Sequence, residues 1–159
     1  MTVPKGECLS RSLANALVAL EQRIKRLLVV DDFRITTDFI SEMVRREFYG
    51  EVTTASSCKE ANEIVRNSDP FDAVILDYSL ANGPSIATYA LIKAKCSDTK
   101  VVFLTGYDSP DLRRKVEEVG TARVHSKDAM SDLNFTRELL EEVGLKRRIE
   151  HADWAAGGI

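Results

Sequence analysis

The chain has 159 residues, 44% of them hydrophobic and 30% charged, with a formal net charge of −3. That composition belongs to one globular domain of ordinary size with short extensions. Its basic residues are too scattered to bind nucleic acid, and no apolar run approaches the about 18 residues of a membrane span.

Cys8, Cys58 and Cys96 are odd in number and form no C-x-x-C pair, and only His125 and His151 could join them. Reduced thiols in a cytoplasmic protein are expected, with no zinc site. Residues 1–25 form an extension in which Leu9, Leu13, Leu17, Leu20 and Ile24 recur at steps of three and four, the pattern of an amphipathic helix. Asn15 interrupts its apolar run and Glu21 follows where small residues would mark cleavage, so no signal peptide is expected.

A domain over 26–144 then alternates strand and helix. The spacing predicts a strand over 27–30, a helix over 34–48 ending before Gly50, and a short strand over 52–55. Ser57 and Glu60 form a capping box for a helix to Asn67, and Asp69-Pro70 breaks it. A strand over 73–76, a helix over 85–95 and a strand over 100–104 follow. Ser109-Pro110 caps a helix that ends at Gly120. The last strand covers 123–126, and the last helix, over 132–143, stops at Gly144. Residues 145–159 form a tail, with Lys146-Arg147-Arg148 as a solvated helix end and Trp154 among Gly and Ala. The tail cannot hold an output domain, so a stand-alone domain is expected.

The first, third and fourth strands are nearly uninterrupted apolar runs, as parallel strands covered by helices on both faces are. Right-handed crossovers give an α/β, doubly wound, five-stranded parallel sheet in the order 2-1-3-4-5. Four of the runs end on chemically specific residues: Asp31-Asp32, Asp77, Thr105 and Lys127. At the carboxyl edge of one sheet, three carboxylates, a hydroxyl and an ammonium converge.

Over residues 25–145 the chain resembles the receiver domain of two-component response regulators, with its flavodoxin-like strand order. The resemblance rests on LLVVDD (27–32), VILDYSL (74–80), VVFLTGYD (101–108) and HSKD (125–128), in the family's order. It implies that Asp77 is the phosphoacceptor, that Asp31 and Asp32 are the acidic pair holding Mg²⁺, that Thr105 is the switch hydroxyl and that Lys127 is the family's lysine. The chemistry agrees: clustered carboxylates favour a hard divalent cation. Asp32 and Asp77 are the expected direct ligands, Asp31 acts through water, and the Ser79 backbone carbonyl supplies another oxygen. With Mg²⁺, Lys127 would stabilise charge on a transferring phosphoryl group. The phosphodonor would be a sensor histidine kinase or a histidine phosphotransfer protein, and the output a changed contact with a downstream protein target. That contact is expected on the face of the fourth helix, fifth strand and fifth helix. The protein would be no enzyme beyond its own phosphorylation and dephosphorylation.

Four positions depart from the family pattern. Val124 stands where an aromatic residue is usual, Asp128 rather than proline follows Lys127, and the loop after the acceptor has Ala81 and Ser85 where proline and glycine are usual. A rebuilt loop is expected, and Tyr107 and His125 are candidates for the missing aromatic role.

Taken singly, each motif has a plainer reading: Asp31-Asp32 as a helix cap, Asp77 as a turn residue. The ordered set favours the functional one. One rival is a receiver-like interaction module that works without phosphorylation. Another is an aspartate-nucleophile phosphatase, but Ser79 stands where such an enzyme carries its second acid. The N-terminal helix has three fates open to it: docking on its own domain, a homodimer with a second copy, or a linker.

Overall fold

The computed structural model describes residues 11–17, 23–80, 83–120 and 123–148. The strands are β1 (Lys25–Val30), β2 (Phe48–Ala55), β3 (Ala73–Asp77), β4 (Ser79–Leu80), β5 (Gly83–Pro84), β6 (Lys100–Thr105), β7 (Arg123–Ser126) and β8 (Lys146–Arg147). The helices are α1 (Arg34–Glu47), α2 (Cys58–Asn67), α3 (Ile86–Lys95), α4 (Pro110–Val119) and α5 (Leu133–Glu142), with a 3-10 turn over Lys127–Ser131.

The caps follow from local sequence. Ser57 Oγ accepts from the Glu60 N–H at 3.1 Å, while the Glu60 carboxylate returns to the N–H and hydroxyl of Ser56, one residue earlier than in the usual box. Ser109 Oγ caps α4 through the Leu112 N–H, with Pro110 opening the helix. Gly120 and Gly144 end α4 and α5 at φ of 151° and 100°, where a side chain would be strained. A Cβ on Gly120 would also sit 2.5 Å from the Tyr89 hydroxyl.

The main sheet is mostly parallel and runs β7-β6-β3-β1-β2-β8. The expected sheet of five parallel strands in the order 2-1-3-4-5 is corrected to one of six, with β8 joined antiparallel to β2 through Phe48 opposite Arg147 and Tyr49 opposite Lys146. β2 accordingly starts at Phe48, directly after α1, because the buried Phe48 ring and the bulky Tyr49 suit a pleated edge better than a helix end. The basic trio is corrected with it. Lys146 and Arg147 form the edge strand, and Arg148 ties it down by donating from its N–H to the Glu47 carbonyl at 2.7 Å and from Nε to the Phe48 carbonyl at 2.8 Å.

Alternate residues of the apolar strands feed two cores. Leu28, Val30, Val74, Leu76, Val101 and Phe103 pack with residues of α2, α3 and α4. Leu27, Val29, Ile75, Val102 and Leu104 pack with residues of α1 and α5. Burial on both faces is why these runs show no polar alternation. Register then sets the site: Val30 lies beside Leu76, Leu76 beside Phe103, and Asp77 beside Leu104. The residues that follow these pairs share one edge.

Residues 11–17 are helical, with Leu13 and Leu17 exposed. Leu9 and Leu20 of the expected amphipathic helix, like Ala81 and the tail from 149 to 159, lie outside the described residues. No described helix is long and apolar enough to cross a membrane.

Candidate functional site

Asp31 continues the β1 ladder, donating its N–H to Ala55, and then turns the chain by accepting the Phe33 N–H on Oδ1 at 2.8 Å. This leaves Asp31 2% exposed and Asp77, the last residue of β3, 3% exposed. Asp32 faces solvent. Asp77 Oδ1 accepts the Ser79 N–H at 3.1 Å. Lys127 leaves β7 at the start of the 3-10 turn, where Ser126 Oγ accepts the Asp128 N–H and Met130 is buried. Its Nζ reaches Asp31 Oδ2 at 2.6 Å and Asp77 Oδ2 at 2.8 Å.

Burial pushes the Asp77 carboxyl above the usual aspartate range, and the negative charge of Asp31 adds to the shift; the hydrogen bond from Lys127 offsets only part of it. Burial would lower the Lys127 ammonium, but its contacts with Asp31 and Asp77 outweigh that and hold it above the usual lysine range. One ammonium therefore stands among three carboxylates.

Oxygens of Asp31, Asp32 and Asp77 all lie within 4.8 Å of one another. The buried Asp31 Oδ2 accepts no well-formed hydrogen bond and is met only by the ion pair to Lys127. An oxygen-only donor set with excess negative charge and a poorly satisfied carboxylate fits a hard divalent cation.

Thr105 ends β6 fully buried, beside Ser126 in the register. Its hydroxyl does not point to a carboxylate: it donates to the Tyr107 carbonyl at 2.9 Å and accepts the Tyr107 N–H at 3.1 Å. The structure thus brings Asp31, Asp32, Asp77 and Lys127 together and leaves Thr105 at the same edge, engaged by its own loop.

The loop after Asp77 is rebuilt around a short ladder, Ser79 opposite Pro84 and Leu80 opposite Gly83. Ser85 anchors it from beneath, donating its hydroxyl to the Asp77 carbonyl and its N–H to the Tyr78 carbonyl. Sequence reasoning found this position only as a departure from a pattern. Also missed were Phe33 and Thr36, which line a cavity of about 460 Å³ with Asp77, Ser79, Gly106, Tyr107 and Lys127. Phe33 immediately follows the acidic pair, which was the available signal. A Cβ on Gly106 would meet nothing within 4 Å, so the cavity is open there.

A larger cavity, about 610 Å³, lies at the opposite edge of the sheet among Arg23, Arg26, Asp72 and Lys100. Arg23 pairs with Asp72, whose other carboxylate oxygen accepts the backbone N–H of Arg26 at 2.8 Å. It lacks the converging carboxylates.

Several solved structures share the fold. The chemotaxis response regulator CheY4 of Vibrio cholerae is 20% identical, with a TM-score of 0.66 over 76% of this chain and 99% of that one. A CheY-like receiver domain protein of Methanospirillum hungatei is 22% identical, with a TM-score of 0.61 over 76% and 97%. A response regulator of Burkholderia pseudomallei, solved with a phosphorylated aspartic acid, calcium ion and citrate, is 21% identical, with a TM-score of 0.58 over 76% and 73%. A comparison with curated proteins gives no match. The response regulator receiver domain model matches residues 27–137, most of the chain and all of the converging strand ends, and the chain belongs to that family.

Proposed function

We propose that this chain is a phosphorelay receiver that takes a phosphoryl group onto Asp77 from a phosphohistidine of a sensor kinase or phosphotransfer protein, and that the phosphoaspartate changes its contact with a downstream protein. The observation that carries this reading is the Lys127 ammonium held between Asp31 and Asp77. Asp77 is the nucleophile. Lys127 moves from its carboxylate to an equatorial oxygen of the incoming group, giving a charge-assisted hydrogen bond. Thr105 is the switch: it leaves the Tyr107 backbone to donate to another phosphoryl oxygen and draws the loop before α4 inward.

Asp31, Asp32, Asp77 and the Ser79 carbonyl are the groups that would hold Mg²⁺. The ion supplies charge neutralisation for carboxylates and phosphoryl oxygens together. The calcium ion and phosphorylated aspartate of the Burkholderia relative support this assignment by analogy. The protein acts in the cytoplasm, with no turnover on a free substrate.

Intact-mass measurement after incubation with acetyl phosphate, with and without Mg²⁺, tests the reading. A Mg²⁺-dependent gain of one phosphoryl group that Asp77→Asn abolishes is expected; labelling retained in the mutant overturns the site. A receiver-like module working without phosphorylation is the second reading, favoured by Val124 and by the capture of the Thr105 hydroxyl. Absence of both labelling and Mg²⁺ binding would select it. The exposed Leu13 and Leu17 further suggest a homodimer through the N-terminal helix. Equal monomer masses by light scattering for the full chain and residues 25–159 would exclude it.

A further inference from the structure

We propose, resting on the receiver reading, that Phe33 and Tyr107 form an aromatic subsite for the imidazole ring of an N-phosphorylated histidine, and that Thr105 is the positioning residue that holds Tyr107 there. In the sheet order, β3 lies between β1 and β6. Phe33 follows β1 and Tyr107 follows β6, so the two rings come from loops on either side of Asp77 and line the same cavity. They are 65% and 79% exposed. Single exposed aromatics call for no explanation, but two flanking one buried nucleophile do.

The chemistry of the cavity sorts by depth. Asp77 and Lys127 are buried or partly buried and meet the phosphoryl group, while Phe33 and Tyr107 meet whatever carries it. The Lys127 ammonium lies 5.4 Å from the Phe33 ring centroid, so that ring borders the position of the phosphoryl group. The ring of a phosphoimidazole protonated on its free nitrogen is flat and carries positive charge, and both properties favour aromatic neighbours. An acyl phosphate offers neither. In the transfer, an Asp77 oxygen forms the P–O bond as the P–N bond breaks; its electron pair stays on nitrogen, and neutral imidazole leaves.

Tyr107 is exposed, yet both polar groups of its backbone are bonded to the Thr105 hydroxyl. When Thr105 turns to phospho-Asp77 both bonds are lost. The subsite is thus held in the unphosphorylated protein and loosened once the group has arrived, which favours release of the spent donor.

The test compares initial rates of labelling at Asp77 by phosphoimidazole and by acetyl phosphate, read by intact mass, for the wild type, Phe33→Ala, Tyr107→Ala and Tyr107→Phe. Each alanine variant is expected to lower the phosphoimidazole rate about three- to tenfold relative to acetyl phosphate, with Tyr107→Phe close to wild type. An unchanged ratio, with wild type labelled by both donors, overturns the subsite and leaves the receiver reading intact. Failure of phosphoimidazole alone on wild type does the same. Failure of both donors overturns the receiver reading and the subsite with it.

Discussion

The Ser85 hydroxyl donates to the backbone carbonyl of Asp77 across 2.6 Å, linking the first residue ahead of α3 to the proposed nucleophile. Ser85 is fully buried, and the bond fixes the loop whose Ser79 carbonyl is proposed to help hold Mg²⁺. Ser85→Ala would leave a buried carbonyl without its donor. A loss of about 1–2 kcal/mol in urea unfolding is expected, together with weaker Mg²⁺ binding. Unchanged Mg²⁺ affinity would separate the loop from the metal site.

Lys127 is the only cation within reach of Asp31 and Asp77 among the described ion pairs. Lys127→Met therefore leaves two buried carboxylates facing each other without compensation, and a destabilisation of about 3 kcal/mol is expected by urea unfolding in EDTA. Added Mg²⁺ should recover part of it, because an ion bound only by the folded state adds stability by mass action. Phosphoryl labelling should be lost even where stability is recovered. A variant as stable as wild type in EDTA would contradict the electrostatic account of the site.

Burial holds the Asp77 carboxyl above its unfolded range. The folded state therefore keeps this proton to higher pH than the unfolded chain does, and stability falls as pH rises between the unfolded and folded values. Without Mg²⁺, Asp77→Asn should melt above wild type at neutral pH, and the gap should close on acidification below the ordinary aspartate range. Labelling by acetyl phosphate should fall with decreasing pH, starting above that range. Both titrations sit on one residue, so a melting gap independent of pH would remove the cause assigned to the labelling profile.

Much of this was legible in the sequence because the same residues do two jobs. Leu27 to Val30 and Val74 to Leu76 are apolar throughout since both faces of the sheet are covered, and their uninterrupted runs made Asp31, Asp32 and Asp77 stand out as strand ends. Lys127 was found through its order in the chain, although its ion pairs span 50 residues to Asp77. β8 was missed because Lys146 and Arg147 are not strand formers: their pairing depends on Phe48 and Tyr49, nearly 100 residues away. The ladder of β4 and β5 escaped for a related reason, since Gly83-Pro84 has no strand propensity and is held by the Ser79 side of the loop. Thr105 was identified by type, but which partner its hydroxyl takes is a matter of rotamer and no sequence pattern encodes it.

Glu47 and its partner are likewise far apart, 90 residues along the chain. Arg137 of α5 grips the Glu47 carboxylate with Nε at 2.6 Å and Nη2 at 2.9 Å, at the end of α1 where β2 and the residue after β8 also meet. The Arg137 hydrogen bond holds the Glu47 carboxyl below the usual glutamate range against the opposing effect of burial. A depressed folded value contributes stability that is present above the unfolded value and is lost as pH falls through the folded one. Glu47→Gln should therefore cost about 1 kcal/mol at neutral pH, since the pair is two-pronged but partly exposed, and the cost should shrink on acidification. Arg137→Lys should lose most of the same increment, because an ammonium cannot reproduce the planar fork. Urea unfolding of the three proteins at neutral and acid pH provides the check: a Glu47→Gln deficit that persists in acid would mean that packing of the side chain, rather than its charge, joins α1 to α5.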